Sequence, residues 1–379
     1  MMKTYTLIYA LMALFVIGCS KSDGPIDDDG GKIEPSVEAD YTLLVNFHGM
    51  LTGKLLNGDA ETLSLNDGDS GFPKIAKPLL ISEEGKVLTM YHKKSACSGE
   101  ITIHDFSKAT TKSVAVFSDL GACTLTAKAI VQGGNTVYVA YEKEVSAEST
   151  AFMVRAIDVT GAGGVFEDVM LKFNPVGLAF SNNRLFIFSL DEKITDEYQL
   201  TVLDAKSNKE IFEDNLGFDA KSIFKNPDGN IIIGYDELHS TYNSSTLALA
   251  YTNYPSGKAP NFINSEFKHF DRSGKMYYAM LAGIHSDYSL VPAIYDFDEN
   301  LTVLYAYENF LSKTQLNFEF EIENTTVVHY DEANNLLLVG YKKIGEGNKG
   351  GLLRIKTKPE PKLAGNLDLD GVPYAIYID

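Results

Sequence analysis

One short pattern recurs six times in this chain and constrains the fold more than any other feature. It reads "GKVLTMYHKK" from 85, "NTVYVAYEKE" from 135, "NRLFIFSLDEK" from 183, "GNIIIGYDELH" from 229, "GKMYYAMLAGIH" from 274 and "NLLLVGYKKIG" from 335. Each copy opens on a Gly or Asn turn, runs through four to six apolar residues and becomes polar. Anchored on Val87, Val137, Leu185, Ile231, Met276 and Leu337, the steps are 50, 48, 46, 45 and 61 residues. Short runs dense in β-branched and aromatic residues read as strands, and no long segment carries a 3.6-residue stripe. A period in the forties, with several short strands per unit, predicts the blades of a β-propeller.

Each unit has room for four strands. In the copy that starts at Asn174, "PVGLAFS" is expected innermost, then "RLFIFSL", "YQLTVLDA" and the outer "KEIFEDNL". Inner strands buried on both faces explain the continuous apolar runs. Six complete units fall at about 73–121, 122–173, 174–217, 218–270, 271–323 and 324–370. The leftover "YTLLVNFHGMLTGKLLNGDAETLSL" supplies three strands, and "GVPYAIYID" supplies an inner one. Together they make a seventh blade, so the two ends pair and close an all-β ring over 41–379 without free sheet edges. Eight blades would follow only if the long units at 271–323 or 324–370 hide an extra strand pair.

The propeller layout says where a mouth would lie. The loop from the second to the third strand sits on the same face as the connections between blades. Those loops carry Lys93, Lys94, Lys143, Lys193, Lys342, Lys343 and Lys349, with His92, His239 and His285. Lys93, Lys94, Lys342 and Lys343 are expected to hold an anionic ligand, since charge-assisted contacts are the stronger ones. Tyr91, Tyr141, Tyr235 and Tyr341 recur four residues after their anchors, where they would stack on an aromatic ligand or pack as a repeat position. Cys97 and Cys123 map to that same face and are expected to form a disulfide in an oxidising compartment.

The N-terminus reads as a targeting device. Lys3 is followed by an apolar run of 11 residues, Leu7 to Ile17, too short for a membrane span of about 20. Val16-Ile17-Gly18-Cys19 then resembles a bacterial lipobox, which implies cleavage after residue 18 and acylation of Cys19. Ser20, in place of a retention aspartate, favours the outer membrane. Residues 19–40 form an acidic leash with seven acids and two lysines. Its Ser22-Asp23 and Asp27-Asp28-Asp29 resemble a Bacteroidota surface-export signal, so the cell surface is expected and the periplasmic face is second.

Composition excludes some partners. The net charge of −18 argues against nucleic acid, which needs a basic footprint. There is no HExxH, GxSxG, P-loop or dinucleotide fingerprint, so no catalytic residue and no cofactor are assigned. The acids of "YDFDEN" and "LDLDG" are oxygen donors, but neither completes an EF-hand loop, so no metal is assigned.

Lipobox, acidic leash, "ADYTLLVNF" leading straight into the repeats and the seven-blade count resemble the Bacteroidota propeller lipoproteins encoded beside TonB-dependent receptors. One branch of that group serves xenosiderophore use. The resemblance implies a surface lipoprotein that binds a small ligand, such as a ferric siderophore, at the propeller mouth and passes it to an outer-membrane receptor. Two alternatives stand beside it: a protein-interaction scaffold at the outer membrane, and a lyase or hydrolase of propeller type. The supply of only four arginines, Arg155, Arg184, Arg272 and Arg354, weighs against capture of a highly anionic ligand.

Overall fold

The computed structural model describes residues 39–378, apart from 121–122, 148, 162–164, 193–196, 263–264, 283–285 and 346. The acylation expected at Cys19 and the leash as far as residue 38 lie outside the described residues. Seven antiparallel sheets form a ring. Six have four strands in sequence order from the axis outward. The seventh, blade 1, runs outward from the last strand of the chain to the first three, with the short strand Ile75–Ala76 as a fifth member. The inner strands are Val372–Ile378 in blade 1, Leu80–Glu84 in blade 2, Leu125–Gly133 in blade 3 and Asn174–Ser181 in blade 4. Ser222–Lys225, His269–Phe270 and Ile322–Asp331 serve blades 5, 6 and 7.

The turn that opens each repeat has a clear backbone cause. Gly85, Gly134, Asn183, Gly229, Gly274 and Asn335 all take positive φ, between 55° and 84°. Glycine, and asparagine next, adopt that region at least cost, so the inner hairpin of each of these blades fixes a Gly or Asn there. The second strand after it is buried: Ile231–Gly234 throughout, and Leu336–Lys343 until its last two residues. Outer strands alternate instead, as Lys209–Gly217 does.

Blade 1 closes as expected. Val372–Ile378 pairs antiparallel with Ala39–Phe47, from Tyr41 opposite Ile378 to Asn46 opposite Val372, with one bulge. The strand begins at Ala39, two residues before the expected boundary at 41. Across the seam, Tyr41 donates a 2.5 Å hydrogen bond to buried Asp331 of blade 7. Arg354 of blade 7 donates to the carbonyls of Asp59, Glu61 and Thr62 at 2.6 to 2.8 Å. The apolar core follows the ring, with clusters that join consecutive blades. Tyr91, Phe117 and Val139, for example, lie between blades 2 and 3.

Two unit boundaries shift from expectation. His269–Phe270 falls at the tail of the expected unit 218–270, but it pairs with Tyr277 and Met276 and opens blade 6. The 61-residue step needs no eighth blade. Between strands Leu301–Leu304 and Ile322–Asp331, the chain makes a 3-10 turn at Tyr307–Asn309 and a π-helical turn at Gln315–Phe320.

Candidate functional site

The loop face does not carry the expected ligand cluster. The Lys93 ammonium donates to the Leu125 carbonyl at 3.3 Å, and Lys94 lies 3.3 Å from Glu100. Lys342 and Lys343 each sit 2.8 Å from a carboxylate, Glu323 and Asp368 respectively. Each lysine is therefore committed to a local acceptor rather than aimed at a shared point. Lys193 and His285 lie outside the described residues. His92 and His239 are buried, and burial holds both imidazoles below their ordinary pKa, that of His239 at about 4.

The recurrent tyrosines are a correction. Tyr91, Tyr141 and Tyr341 are at most 1% exposed and cannot stack on a ligand from solvent, while Tyr235 is half-buried. A glycine on the next strand explains two of them. A Cβ on Gly99 would run into the Tyr91 ring, and one on Gly351 would run into Tyr341. The repeat position is a ring laid over a glycine, which is packing. The Tyr141 hydroxyl donates to Asp168 at 3.0 Å inside a buried network in which Arg155 also binds Asp119.

Cys97 and Cys123 form a disulfide with their Cα atoms 5.2 Å apart. One lies in the turn after Val87–Ser95 and the other just before Leu125–Gly133, so both occupy the loop face as expected.

A cavity lies on the axis, towards the opposite face, where the inner strands turn into the second strands. Its volume is about 530 Å³, and every one of the seven inner strands lines it. A cavity of this size holds a small organic ligand. Blade 2 contributes Glu83 and Glu84, blade 5 Phe224 and Lys225, blade 6 Lys268 and His269, blade 7 His329 and blade 1 Tyr377. At the hairpin end Lys225 binds both oxygens of Glu84 at 2.6 and 2.7 Å. These residues come from blades three apart in the ring, so the pair spans the axis. Further in, His269 Nδ1 lies 3.7 Å from Glu83 Oε2, again across the axis, and its ring is 4.1 Å from that of His329.

Burial sets the charges here. It pushes the Glu83 carboxyl up to about 8, against only a slight opposing pull from the Tyr377 phenol. That phenol lies beside the carboxyl, and it is itself raised far above the ordinary phenol value by burial and by the Glu83 carboxyl. The Lys268 ammonium is pushed down to about 8, His329 to about 4 and His269 well below its ordinary value, each mainly by burial. Both histidines are thus neutral at pH 7. Glu83 Oε1, His269 Nε2 and Tyr377 Oη are buried without a hydrogen-bond partner among the described residues. Unpartnered buried polar atoms are costly, and concentrated in one cavity they mark a site.

The sequence reading missed this cluster: His329 lies within the strand Ile322–Asp331, on the channel wall. A signal was present: "ISEEGK", "SIFKNP", "EFKHF" and "VVHYDE" place charged or imidazole groups in strands that should be apolar on both faces. One acid in each of the two stretches considered for calcium is paired with a lysine, Asp296 with Lys275 at 2.8 Å and Asp368 with Lys343. Among the described residues no group of three His, Cys, Asp or Glu is placed to hold a metal ion.

No family model and no curated protein matches the chain in sequence. Among solved structures, a protein from Lactobacillus plantarum is similar with a TM-score of 0.50 at 13% identity, over 90% of this chain and 100% of its own. A mutant puromycin hydrolase complexed with PGG gives 0.50 at 10% identity over 89% of this chain, which spans only 55% of that protein. Apo AztD from Citrobacter koseri gives 0.48 at 11% identity, over 90% of this chain and 98% of its own. At these identities the first two likenesses show the fold alone.

Proposed function

We propose that this chain is an outer-membrane lipoprotein, anchored through Cys19 at the cell surface, whose propeller binds a small ligand in the axial channel and hands it to a TonB-dependent receptor. The observation that carries the binding reading is the convergence of inner strands on a 530 Å³ cavity containing buried, unpartnered polar atoms. The anchoring and the receptor rest on the lipobox and on the resemblance to propeller lipoproteins. A ferric siderophore is a poor fit to this cavity. Its lining carries three lysines, Lys86, Lys225 and Lys268, against three glutamates, Glu83, Glu84 and Glu266, a balance that suits a ligand of little net charge.

The test is a thermal-shift screen of residues 39–379 against a metabolite library that includes ferric catecholates. A parallel Leu178→Trp variant fills the channel from blade 4. Ligands that stabilise the native protein should lose that effect in the variant. A ligand that stabilises both equally places binding elsewhere, and a library without a hit favours the interaction scaffold.

A further inference from the structure

The channel buries an acid and a base that do not pair with each other. Glu83 of blade 2 has no cation against it: its neighbours are Tyr377 from blade 1 and neutral His269 from blade 6. Lys268 of blade 6 has no carboxylate against it. Its ammonium donates to the Ser265 carbonyl at 2.8 Å and lies 5.4 Å from the centre of the Phe224 ring. No ion pair joins Glu83 to Lys268, and the ionisation of each is set by burial with no contribution from the other. At the mouth of the same cavity Glu84 and Lys225 do pair, so charge pairing across this axis is sterically available.

An acid and a base held in one cavity and left apart each have their charged form destabilised by desolvation, and Glu83 keeps its proton near neutral pH until a cation reaches it. A ligand carrying both complementary charges relieves both at once. A primary ammonium has three donors, and Glu83 Oε1, Tyr377 Oη and His269 Nε2 are the three buried polar atoms without partners on the channel wall. A carboxylate on the same ligand would take the ammonium of Lys268. Phe180, Ile223, Phe224 and Phe270 give the same wall apolar and aromatic surface for a side chain. From this arrangement we infer that the channel binds a zwitterion of the amino-acid class, its ammonium on Glu83 and its carboxylate on Lys268. The inference rests on the channel-binding reading above and names its ligand class.

The experiment uses the folded domain with each of the twenty standard amino acids, read by calorimetry and thermal shift. For any that binds, the amine and the acid lacking one charge are compared; for L-phenylalanine these are 2-phenylethylamine and 3-phenylpropionate. At least one amino acid should bind, and both of its single-charge analogues should lose tenfold or more in affinity. Glu83→Gln and Lys268→Met should each lose tenfold or more while remaining folded, because each replaces a buried ionisable group by a neutral one of similar shape. Lys94→Met, on the loop face, serves as the control and should bind as the native protein does. If no amino acid binds, or if the single-charge analogues bind equally well, the inference is overturned. A neutral or singly charged library compound that is blocked by Leu178→Trp would then still uphold the channel as the site.

Discussion

Lys225 grips both carboxylate oxygens of Glu84, at 2.6 and 2.7 Å, from the far side of the propeller axis. The two side chains are 30% and 54% exposed, so the pair adds little stability, about 1 kcal/mol at most. Its position matters more than its strength, because it bars the hairpin end of the cavity. Lys225→Met should raise the association rate of a channel ligand while urea denaturation shifts by less than about 1 kcal/mol. Stopped-flow binding reads the rate. An unchanged rate would show that ligands enter from the loop face.

The buried carboxyl of Glu83 makes stability depend on pH in an unusual direction. Its ordinary value is 4.5 and its native one about 8, so across that window the native state holds a proton that the unfolded chain has lost. Stability therefore falls as pH rises from 4.5 to 8, and this contribution levels off above 8. Glu83→Gln abolishes that titration. The variant should match the native protein near pH 4.5 and exceed it by on the order of a few kcal/mol at pH 8. His329 acts in the opposite sense on the acid side. Its native value is about 4 against an ordinary 6.5, so stability drops as pH falls through that interval. Denaturation curves at half-unit steps from pH 4 to 9 separate the two, and a difference between Glu83→Gln and the native protein that shrinks with rising pH contradicts the assignment.

The ring was legible because its signal is local. A positive-φ turn demands Gly or Asn, and the strand after it is buried, so turn and apolar run recur together. The disulfide followed from the topology alone, since two strand connections on one face bring Cys97 and Cys123 together. The site was not legible, because it is assembled from single residues on seven inner strands spaced dozens of residues apart. Lys268 and His269 were further hidden by a strand of only two residues, too short to register as the start of a blade. The tyrosines misled for a related reason. A conspicuous repeat position in a propeller is set by packing between sheets, here ring over glycine, whereas a binding site on the axis breaks the repeat.

The disulfide closes a loop of 26 residues. In the chain-entropy account, cross-linking such a loop destabilises the unfolded state by about 3 kcal/mol. Replacing Cys97 and Cys123 together by Ser should lower the unfolding free energy by about that much and leave channel binding intact, because the bond lies on the other face. Guanidinium denaturation measures the first effect and calorimetry the second. Two free thiols titrating in the native, non-reduced protein would show the bond to be absent.

Gly351 tests the packing reading of the tyrosines. Tyr341 is fully buried, and a methyl group on Gly351 would overlap its phenol. The ring packs against Phe320 in the core between blades 6 and 7. Gly351→Ala should therefore destabilise the fold by about 1–3 kcal/mol, as overpacking does. The double variant Gly351→Ala with Tyr341→Leu should recover part of that loss. Equal stability of Gly351→Ala and the native protein would mean that Tyr341 is free to move, and would reopen its role at the surface.

The proposed anchor and the proposed channel site lie in separate parts of the chain. In the lipobox reading Lys3, the 11-residue apolar run and Val16-Ile17-Gly18-Cys19 form the signal for acylation, and all of them precede the first described strand at Ala39. Acyl chains contribute about 0.8 kcal/mol per buried methylene, so a cysteine bearing several of them holds a protein firmly in a bilayer. Cys19→Ala removes the thiol that receives the lipid. In cells the variant should incorporate no labelled palmitate, while its purified domain binds channel ligands with unchanged affinity. Palmitate that persists in Cys19→Ala sinks the lipobox reading. Lost binding in a soluble, folded Cys19→Ala domain would instead show that the segment before Ala39 takes part in the site.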